Sequence, residues 1–147
     1  MEIREADEKD LHALLKLYTQ LHDNPMPEIT EDLLELWADI SSDKNHRIIV
    51  AAEGEQIVSS CVLIIVPNLT HNQRPYALIE NVVTAGPYRR QGLASACLER
   101  AKQIAQQNGC YKIMLMTGSK KGSTLDFYRK AGYHSEDKTA FIQWLNL

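Results

Sequence analysis

A run of basic and small residues lies between two apolar segments and could bind an anion. It reads RRQGLAS from Arg89 to Ser95, directly before a segment with helical periodicity. The first N–H groups of a helix have no partner inside it and lie at the positive end of its dipole, so they suit a phosphate. Gly92 would let that phosphate approach the backbone closely, and Arg89 and Arg90 would add cationic donors. These residues predict a pyrophosphate site.

The same letters also fit a plain surface loop with a glycine and two solvated arginines. The context favours the anion site, because the long apolar segment PYALIENVVTA precedes the run and an amphipathic segment follows it. The site is not of the Walker A type, since no Gly-Lys-Ser/Thr follows, and it lacks the GxGxxG fingerprint of dinucleotide-binding folds. The run therefore indicates a phosphate-binding loop that belongs to neither of these two types.

Composition narrows the classes of protein to which the chain can belong. The 147 residues suit one domain, and a hydrophobic fraction of 44% suffices for a packed core. A net charge of -3 and a pI of about 5.9 argue against a nucleic-acid partner. Three cysteines without a paired motif indicate reduced thiols and no metal site. The charged N-terminus and the short apolar runs indicate neither a signal peptide nor a membrane span, so we expect a cytoplasmic protein.

The elements that must position the run follow from the spacing of apolar residues. MEIREA predicts a short strand. A near capping box at Asp7 and Asp10 then begins a helix that extends to Leu21, and Thr30 caps a second helix. Next come the strands HRIIVAAE, QIVSSCVLIIVPNL and PYALIENVVTA, a helix over residues 91–107, the strand YKIMLMT, the helix TLDFYRKAG and the strand TAFIQWL. This order predicts a single α/β (α+β) domain over residues 1–147, with both antiparallel and parallel pairing in one sheet.

The run at residues 89–95 resembles the coenzyme loop of the GCN5-related N-acetyltransferases (the GNAT family), whose pattern is Arg/Gln-x-x-Gly-x-Gly/Ala. Arg89, Gly92 and Ala94 match this pattern. A second family pattern, Tyr-x-x-x-Gly-Phe/Tyr, is matched in the segment FYRKAGY, which begins at Phe127. The order of elements fits as well, so the resemblance covers nearly the whole chain. It implies a GNAT-type mixed, mainly antiparallel central sheet flanked by helices.

Within the family, the sequence looks most like the glucosamine 6-phosphate N-acetyltransferases. The likeness lies in the segments IENVV, GCYKI and FYRKAGY. Those enzymes are dimers that share active-site residues across the interface, so the resemblance implies a homodimer. An acidic residue that they carry on the strand after GCYKI is replaced here around Met116 and Thr117. An amino sugar is therefore one candidate substrate among several, beside polyamines and similar amines.

The resemblance also implies which residues bind acetyl-CoA. The pyrophosphate would lie on the loop, and the pantetheine arm would pair with the strand before it like an added strand. A bulge in that strand would leave one N–H free to face the thioester carbonyl. Thr124 stands where many members place an asparagine, and it would replace the hydrogen bond of that residue. The implied coenzyme-binding residues are Val82, Val83, Thr84, Arg89, Arg90, Gln91, Gly92, Leu93, Ala94, Ser95 and Thr124.

Two side chains are implied to carry the chemistry. Tyr128 would meet the sulfur of the coenzyme, and because a phenol has a pKa near 10 it would donate a proton to the departing thiolate. Glu80 stands where related enzymes often carry an acidic residue, and it would take a proton from the attacking ammonium, directly or through water. Glu80 would equally fit a solvent-exposed strand position, and His71 and His134 are weaker candidates for the base. No cysteine has an activating setting, so we expect direct attack without a covalent enzyme intermediate.

Three hypotheses about function stay open at this point. The first is an N-acetyltransferase that acetylates a primary amine of a small molecule, or else a protein N-terminus or lysine. The second is a non-catalytic domain that binds or senses acyl-CoA, and the third is a plain interaction domain. Under the first hypothesis, the acidic stretch that contains Asp23, Glu28, Glu31 and Asp32 would favour a cationic acceptor amine, although it would equally serve as a solvated loop.

Overall fold

One five-stranded sheet organises the computed structural model, which describes residues 1–22 and 24–146. Its strands run in the spatial order β1-β2-β3-β4-β5. The first four pair antiparallel in chain order, and β5 pairs parallel with β4, so the predicted mixed, mainly antiparallel sheet is confirmed. The strands are β1 (Glu2–Glu5), β2 (His46–Glu53), β3 (Gln56–Val66), β4 (Tyr76–Thr84) and β5 (Ile113–Leu115). The helices are α1 (Leu11–Tyr18), α2 (Glu31–Ser42), α4 (Leu93–Gln107) and α5 (Gly122–Lys130). The label α3 is given to the single turn Thr70–Gln73, in which His71, Asn72 and Gln73 have left-handed φ values of 51°, 58° and 58°.

The chain divides into two compact units, each of which is described by itself. The first unit, Met1–Leu115, contains the whole sheet and helices α1 to α4. The second unit, Met116–Leu147, contains α5. Among the described residues, no helix combines the length and the apolar character needed to cross a membrane. The assignment of residues 1–147 to a single domain stays a prediction.

Helices cover both faces of the central strands in the first unit. In β2, the consecutive residues Ile49, Val50 and Ala51 are all fully buried, which requires packing on each face because neighbouring side chains alternate. One face packs against α1, where Leu14 and Leu17 join Val50 and other apolar residues in one cluster. Helix α4 contributes a buried stripe at helical spacing, Cys97, Leu98, Ala101, Ile104 and Ala105.

Most helix and strand ends lie within a few residues of the positions predicted from the sequence. Helix α1 ends at Tyr18, three residues before the predicted limit at Leu21. Helix α4 begins at Leu93 rather than at residue 91, because Gly92 is its N-cap and has a left-handed backbone with φ of 77°. Strand β5 keeps only three of the residues predicted for it.

The predicted strand TAFIQWL near the C-terminus is wrong. Residues 138–146 have no regular secondary structure, and large apolar side chains there are solvent-exposed, with Phe141 at 90% and Trp144 at 82%. Alternating β-branched and aromatic residues favour a strand, but a strand forms only where a neighbouring strand completes its hydrogen bonds. Within this chain, no such neighbour pairs with the described part of the segment.

A buried ion pair joins β1 to the start of α1. Asp10 accepts two hydrogen bonds from the Arg4 guanidinium, at 2.6 and 3.0 Å, and one from the Asp7 N–H at 2.8 Å. The Asp7 carboxylate accepts in turn from the Lys9 N–H at 2.9 Å, which confirms the predicted capping box. Burial by itself would raise the pKa of the Asp10 carboxyl, but the hydrogen bonds from Arg4 and Asp7 outweigh it and hold the pKa below its ordinary value.

The substitution Asp10→Asn is expected to lower the free energy of unfolding by about 2 kcal/mol, because it leaves the half-buried Arg4 without its anion. The folded-state pKa of Asp10 lies below the unfolded value. Its contribution to stability is therefore present above about pH 4 and is lost as the pH falls through the folded-state pKa. Denaturant unfolding of both proteins from neutral pH downward measures the difference, which should shrink in acid.

Glu2→Gln is the matched control for this substitution. Glu2 is exposed and pairs with the same Arg4 at 3.7 Å, so its removal should change stability by less than about 0.5 kcal/mol. Equal losses for the two variants would contradict the role given to Asp10.

Candidate active site

Strand β4 is open along one edge in its second half. Strand β5 pairs with β4 only from Ala77 to Ile79 and ends at Leu115. From Glu80 to Thr84, β4 pairs with β3 on one side, and among the described residues of the first unit no strand pairs with it on the other. Unpaired backbone groups on such an edge can bind an extended chain as an added strand. This edge therefore fits the pantetheine arm of a coenzyme.

A β-bulge interrupts β4 at the start of the open edge. Two residues of β4, Asn81 and Val82, stand opposite Cys61 alone on β3. Asn81 has φ of 52°, in the left-handed region that asparagine tolerates better than most residues. A bulge leaves its extra residue outside the ladder, so a backbone N–H there can serve another partner. The bulge expected from the sequence resemblance is present.

The loop after β4 is tied to two distant parts of the first unit. The Gly86 N–H donates to Gln20 Oε1, just beyond α1, at 2.8 Å. The Tyr88 hydroxyl donates to Glu53 Oε2, at the end of β2, at 2.5 Å. These bonds hold both ends of the short 3₁₀ turn Gly86–Tyr88. The loop thus reaches the start of α4 from a fixed position.

The two loop arginines are exposed, and both retain donors for a ligand. Arg89 Nε donates to the Thr84 carbonyl oxygen at 3.2 Å, which uses one of the five N–H donors of the guanidinium. Arg90 has φ of 64°, a left-handed conformation that costs a non-glycine residue roughly 1–2 kcal/mol. Strain of this kind persists where the surrounding structure imposes it, often at ligand sites.

The N-terminus of α4 is open in the way that an anion site requires. Gly92 is the N-cap, and no side chain caps the first turn. A Cβ atom built on Gly92 would meet no other atom within 4 Å. The glycine is thus required for its backbone conformation, with φ of 77°, and the space in front of it can admit a phosphate.

The predicted coenzyme-binding residues of the first unit differ in accessibility. Val83 is only 6% exposed, and its side chain belongs to the apolar cluster beside α1, so only its backbone could serve a ligand. The exposed members are Arg89, Arg90, Gln91, Gly92 and Ser95. The predicted base, Glu80, is exposed as well. The half-buried members are Val82, Thr84, Leu93 and Ala94.

The second unit carries Tyr128 and Thr124 on α5. The helix ends in a Schellman motif, in which the Tyr133 N–H donates to the Tyr128 carbonyl oxygen and the Gly132 N–H to that of Arg129, each at 3.0 Å. Gly132 has φ of 100°, which explains the glycine of the Tyr-x-x-x-Gly-Tyr pattern. The rings of Tyr128 and Tyr133 pack edge to face, with centroids 6.3 Å apart. Thr124 Oγ1 accepts a hydrogen bond from Ser119 at 3.0 Å.

The cysteines are poor nucleophiles in this structure. Cys61 and Cys97 are fully buried, and burial raises the pKa of both thiols, that of Cys97 to about 11. Cys110 is half-buried, and burial raises its pKa as well, with a smaller opposing effect from Arg74. Since the thiolate is the reactive form, none of the three favours a covalent intermediate. In the described ranges, no cluster of three or more His, Cys, Asp or Glu side chains could hold a metal ion.

The structure separates one alternative base from the site and adds residues that sequence reasoning missed. His71 stacks on Tyr111, with ring centroids 4.0 Å apart, in the turn before β4, whereas the bulge lies in the second half of that strand. His134 is exposed in the second unit.

Sequence reasoning missed the roles of Asn81 and Gln20. A signal for Asn81 existed, because an asparagine within an apolar strand favours a left-handed backbone. Gln20 had no signal, because its bond to the loop spans 66 residues.

Comparisons with known proteins agree with this geometry. The model of the acetyltransferase (GNAT) family matches residues 11–133. A glucosamine 6-phosphate N-acetyltransferase of Trypanosoma brucei brucei is 30% identical over 94% of this chain and 92% of its own. A putative acetyltransferase of Agrobacterium tumefaciens has a TM-score of 0.91 at 34% identity, over 99% of this chain and 100% of that one. The glucosamine-6-phosphate N-acetyltransferase of Arabidopsis thaliana shares the fold, with a TM-score of 0.83 at 21% identity over 99% and 98%. The chain belongs to the GNAT family and is an acyl-CoA-dependent N-acetyltransferase.

Proposed function

We propose that the protein transfers the acetyl group of acetyl-CoA to a primary amine of a small molecule by direct attack. The observation that carries the proposal is the continuous arrangement on β4: an open edge with a bulge, followed by a tethered loop and an uncapped α4 N-terminus. The edge fits a pantetheine arm, and the helix N-terminus with Arg89 and Arg90 fits a pyrophosphate.

The reaction needs three groups beside the coenzyme. The amine first loses a proton, and Glu80, exposed next to the bulge, accepts it directly or through water. The nitrogen lone pair then forms a bond to the thioester carbonyl carbon, and a free backbone N–H of the bulge stabilises the negative charge on the oxygen. The C–S bond breaks as the amide forms, and Tyr128 donates its proton to the departing thiolate. The nitrogen loses its second proton to water, and Tyr128 regains a proton from water, which restores the phenol. The products are the N-acetylated amine and coenzyme A.

A glucosamine 6-phosphate-like amino sugar is the first acceptor to test, since the Trypanosoma relative carries that name. The acidic stretch that runs from the end of α1 into the first turn of α2 supports a cationic acceptor instead, such as a polyamine. Glu28, Glu31 and Asp32 are exposed there, whereas Asp23 lies outside the described residues. The two acceptor classes differ in charge, so one panel of amines separates them.

The test is the release of free thiol from acetyl-CoA in the presence of glucosamine 6-phosphate, polyamines, aminoglycosides, amino acids and peptide N-termini. Turnover with one small amine, absent without the amine, is the expected result. Turnover only with peptides would point to a protein acetyltransferase. Calorimetric binding of acetyl-CoA without any turnover would favour a non-catalytic acyl-CoA sensor. No binding at all would overturn the assignment of the loop.

We also propose that the protein forms a homodimer and resides in the cytoplasm. Four large apolar side chains of the C-terminal segment are exposed, Phe141, Ile142, Trp144 and Leu145, and such a cluster usually meets a partner surface. The resemblance to dimeric enzymes supports a second copy of this chain as that partner. The cytoplasmic location rests on the three free cysteines.

Trp144→Ser is expected to convert the homodimer to a monomer, because it removes a large apolar side chain that is 82% exposed in the single chain. Sedimentation velocity measures the masses of both proteins. Leu69→Ser is the matched control, since Leu69 is 85% exposed in the first unit, and this variant should remain dimeric. A monomeric wild type at micromolar concentration would contradict the proposal.

A further inference from the structure

Two adjacent serines are fully buried in strand β3. Ser59 and Ser60 are each 0% exposed, and their side chains lie on opposite faces of the sheet because neighbouring residues of a strand alternate. Ser60 Oγ donates to the Ile49 carbonyl oxygen, on β2, at 2.7 Å. Ser59 Oγ donates to the Val83 carbonyl oxygen at 3.1 Å and forms a hydrogen bond of 2.8 Å with Thr84 Oγ1. Ser59 thus joins the core to the last residue of β4.

The bond between the two hydroxyls supplies a link that the backbone does not make at this pair. The Ala85 N–H donates to the Val58 carbonyl oxygen at 2.8 Å. In an antiparallel ladder, hydrogen-bonded and non-hydrogen-bonded pairs alternate, so the next pair, Ser59 opposite Thr84, is of the second kind. The backbone groups of such a pair point away from each other, whereas its side chains lie close together. The peptide groups of Thr84 therefore face the open edge of β4, and its side chain is held to β3 through Ser59.

The Thr84 carbonyl oxygen continues this link to the loop after β4. It accepts a hydrogen bond from Arg89 Nε at 3.2 Å, although the Arg89 side chain is exposed. A guanidinium bound through Nε keeps the N–H donors of its terminal nitrogens for a ligand. Those nitrogens can bind a phosphate through parallel hydrogen bonds. Two hydrogen bonds and the Thr84 residue thus connect the buried Ser59 with an arginine of the candidate pyrophosphate site.

We propose that Ser59 is a positioning residue for coenzyme binding, which holds Thr84 so that Arg89 faces the pyrophosphate of acetyl-CoA. The inference rests on the proposed function, in which Arg89 binds that pyrophosphate. A guanidinium that is already held loses less side-chain entropy on binding than a free one, so the link raises affinity. Ser59 contacts neither the substrate nor the coenzyme in this role. It should therefore affect the binding of acetyl-CoA and leave the chemical step unchanged.

Ser59→Ala removes the hydroxyl and changes the volume of the side chain little. We expect the dissociation constant of acetyl-CoA, measured by calorimetry, to rise about fivefold, as for the loss of one ordinary hydrogen bond. At saturating acetyl-CoA, kcat should stay within about twofold of the wild-type value. Thr84→Val keeps the branched shape without the hydroxyl and should weaken binding by the same factor. Unchanged affinity in either variant, or a fall in kcat as large as the loss of affinity, would overturn the inference.

Combining Ser59→Ala with Arg89→Ala tests whether Ser59 acts through Arg89. Arg89→Ala alone should raise the dissociation constant at least about tenfold, because it removes charge-assisted hydrogen bonds to the phosphate. Adding Ser59→Ala should then change the affinity by less than about 1.5-fold, since the side chain that it positions is gone. A further loss of about fivefold, or wild-type affinity in Arg89→Ala, would overturn the inference. A wild type that does not bind acetyl-CoA would overturn the proposed function and this inference with it.

Ser60→Ala is the matched control for Ser59→Ala. Ser60 is as deeply buried and also donates to a carbonyl oxygen, but it lies on the other face of β3. The two variants should lower the melting temperature by similar amounts, because each removes one buried hydroxyl. Ser60→Ala should keep the acetyl-CoA affinity of the wild type within about 1.5-fold. Equal losses of affinity in both variants would assign the effect to the stability of β3 and would refute the role of Ser59.

Discussion

Replacing Gly92 with glutamate is expected to weaken acetyl-CoA binding by at least about 100-fold, with the fold intact. The new carboxylate would stand at the N-terminus of α4, where the pyrophosphate is proposed to bind. Two unit charges about 4 Å apart near a protein surface interact by about 4 kcal/mol, and each 1.4 kcal/mol changes a dissociation constant tenfold. A Cβ atom at this position would meet no atom within 4 Å outside its immediate chain neighbours, so the first atom of the new side chain has space. Calorimetric titration with acetyl-CoA measures the loss.

Gly92→Gln separates the charge from the other effects of the substitution. Both variants place a side chain of the same size on a backbone with φ of 77°, and both bear the same strain of roughly 1–2 kcal/mol. The glutamine variant should bind acetyl-CoA more tightly than the glutamate variant by about tenfold or more. Equal affinities for the two would mean that no anion approaches Gly92, and the pyrophosphate assignment would fail.

Replacing Tyr128 with phenylalanine is expected to lower kcat by about 10²-fold, the low end for loss of an acid catalyst. The affinity for acetyl-CoA should stay close to that of the wild type, because the phenol is proposed to act on the departing sulfur. The ring contacts with Phe127 and Tyr133 need no hydroxyl, and the Schellman motif uses only the backbone of Tyr128. The variant keeps these contacts, and circular dichroism checks that it folds. Steady-state kinetics with the best amine of the panel provides the measurement.

Tyr133→Phe is the matched control for Tyr128→Phe. Tyr133 lies in the same motif and packs against the same ring, but the proposed mechanism gives it no role. Its kcat should remain within about twofold of the wild-type value. Full activity in Tyr128→Phe would remove the acid role, and equal losses in both variants would assign the effect to the stability of α5 instead.

Most of the candidate site could be predicted where its residues are close in sequence. The loop around Gly92, the helix after it, the capping box at Asp7 and Asp10 and the glycine that ends α5 all depend on hydrogen bonds within about five residues. Their residue types carry the geometry directly, since glycine favours the left-handed backbone and aspartate favours the N-cap. The family patterns drawn from these segments identified the protein as an acetyltransferase.

The tertiary structure decided what depends on pairing between distant segments. The sequence by itself determined the caps, the apolar faces and the coenzyme loop. Only the fold decided that β5 ends early enough to open β4, and that Asn81 lies in a bulge opposite Cys61. It also decided that the segment containing Trp144, as far as the structure describes it, pairs with no described strand of the chain. The physical reason is that strand register and open edges result from the packing of all elements together, whereas turns, caps and helical periodicity are set by neighbouring residues.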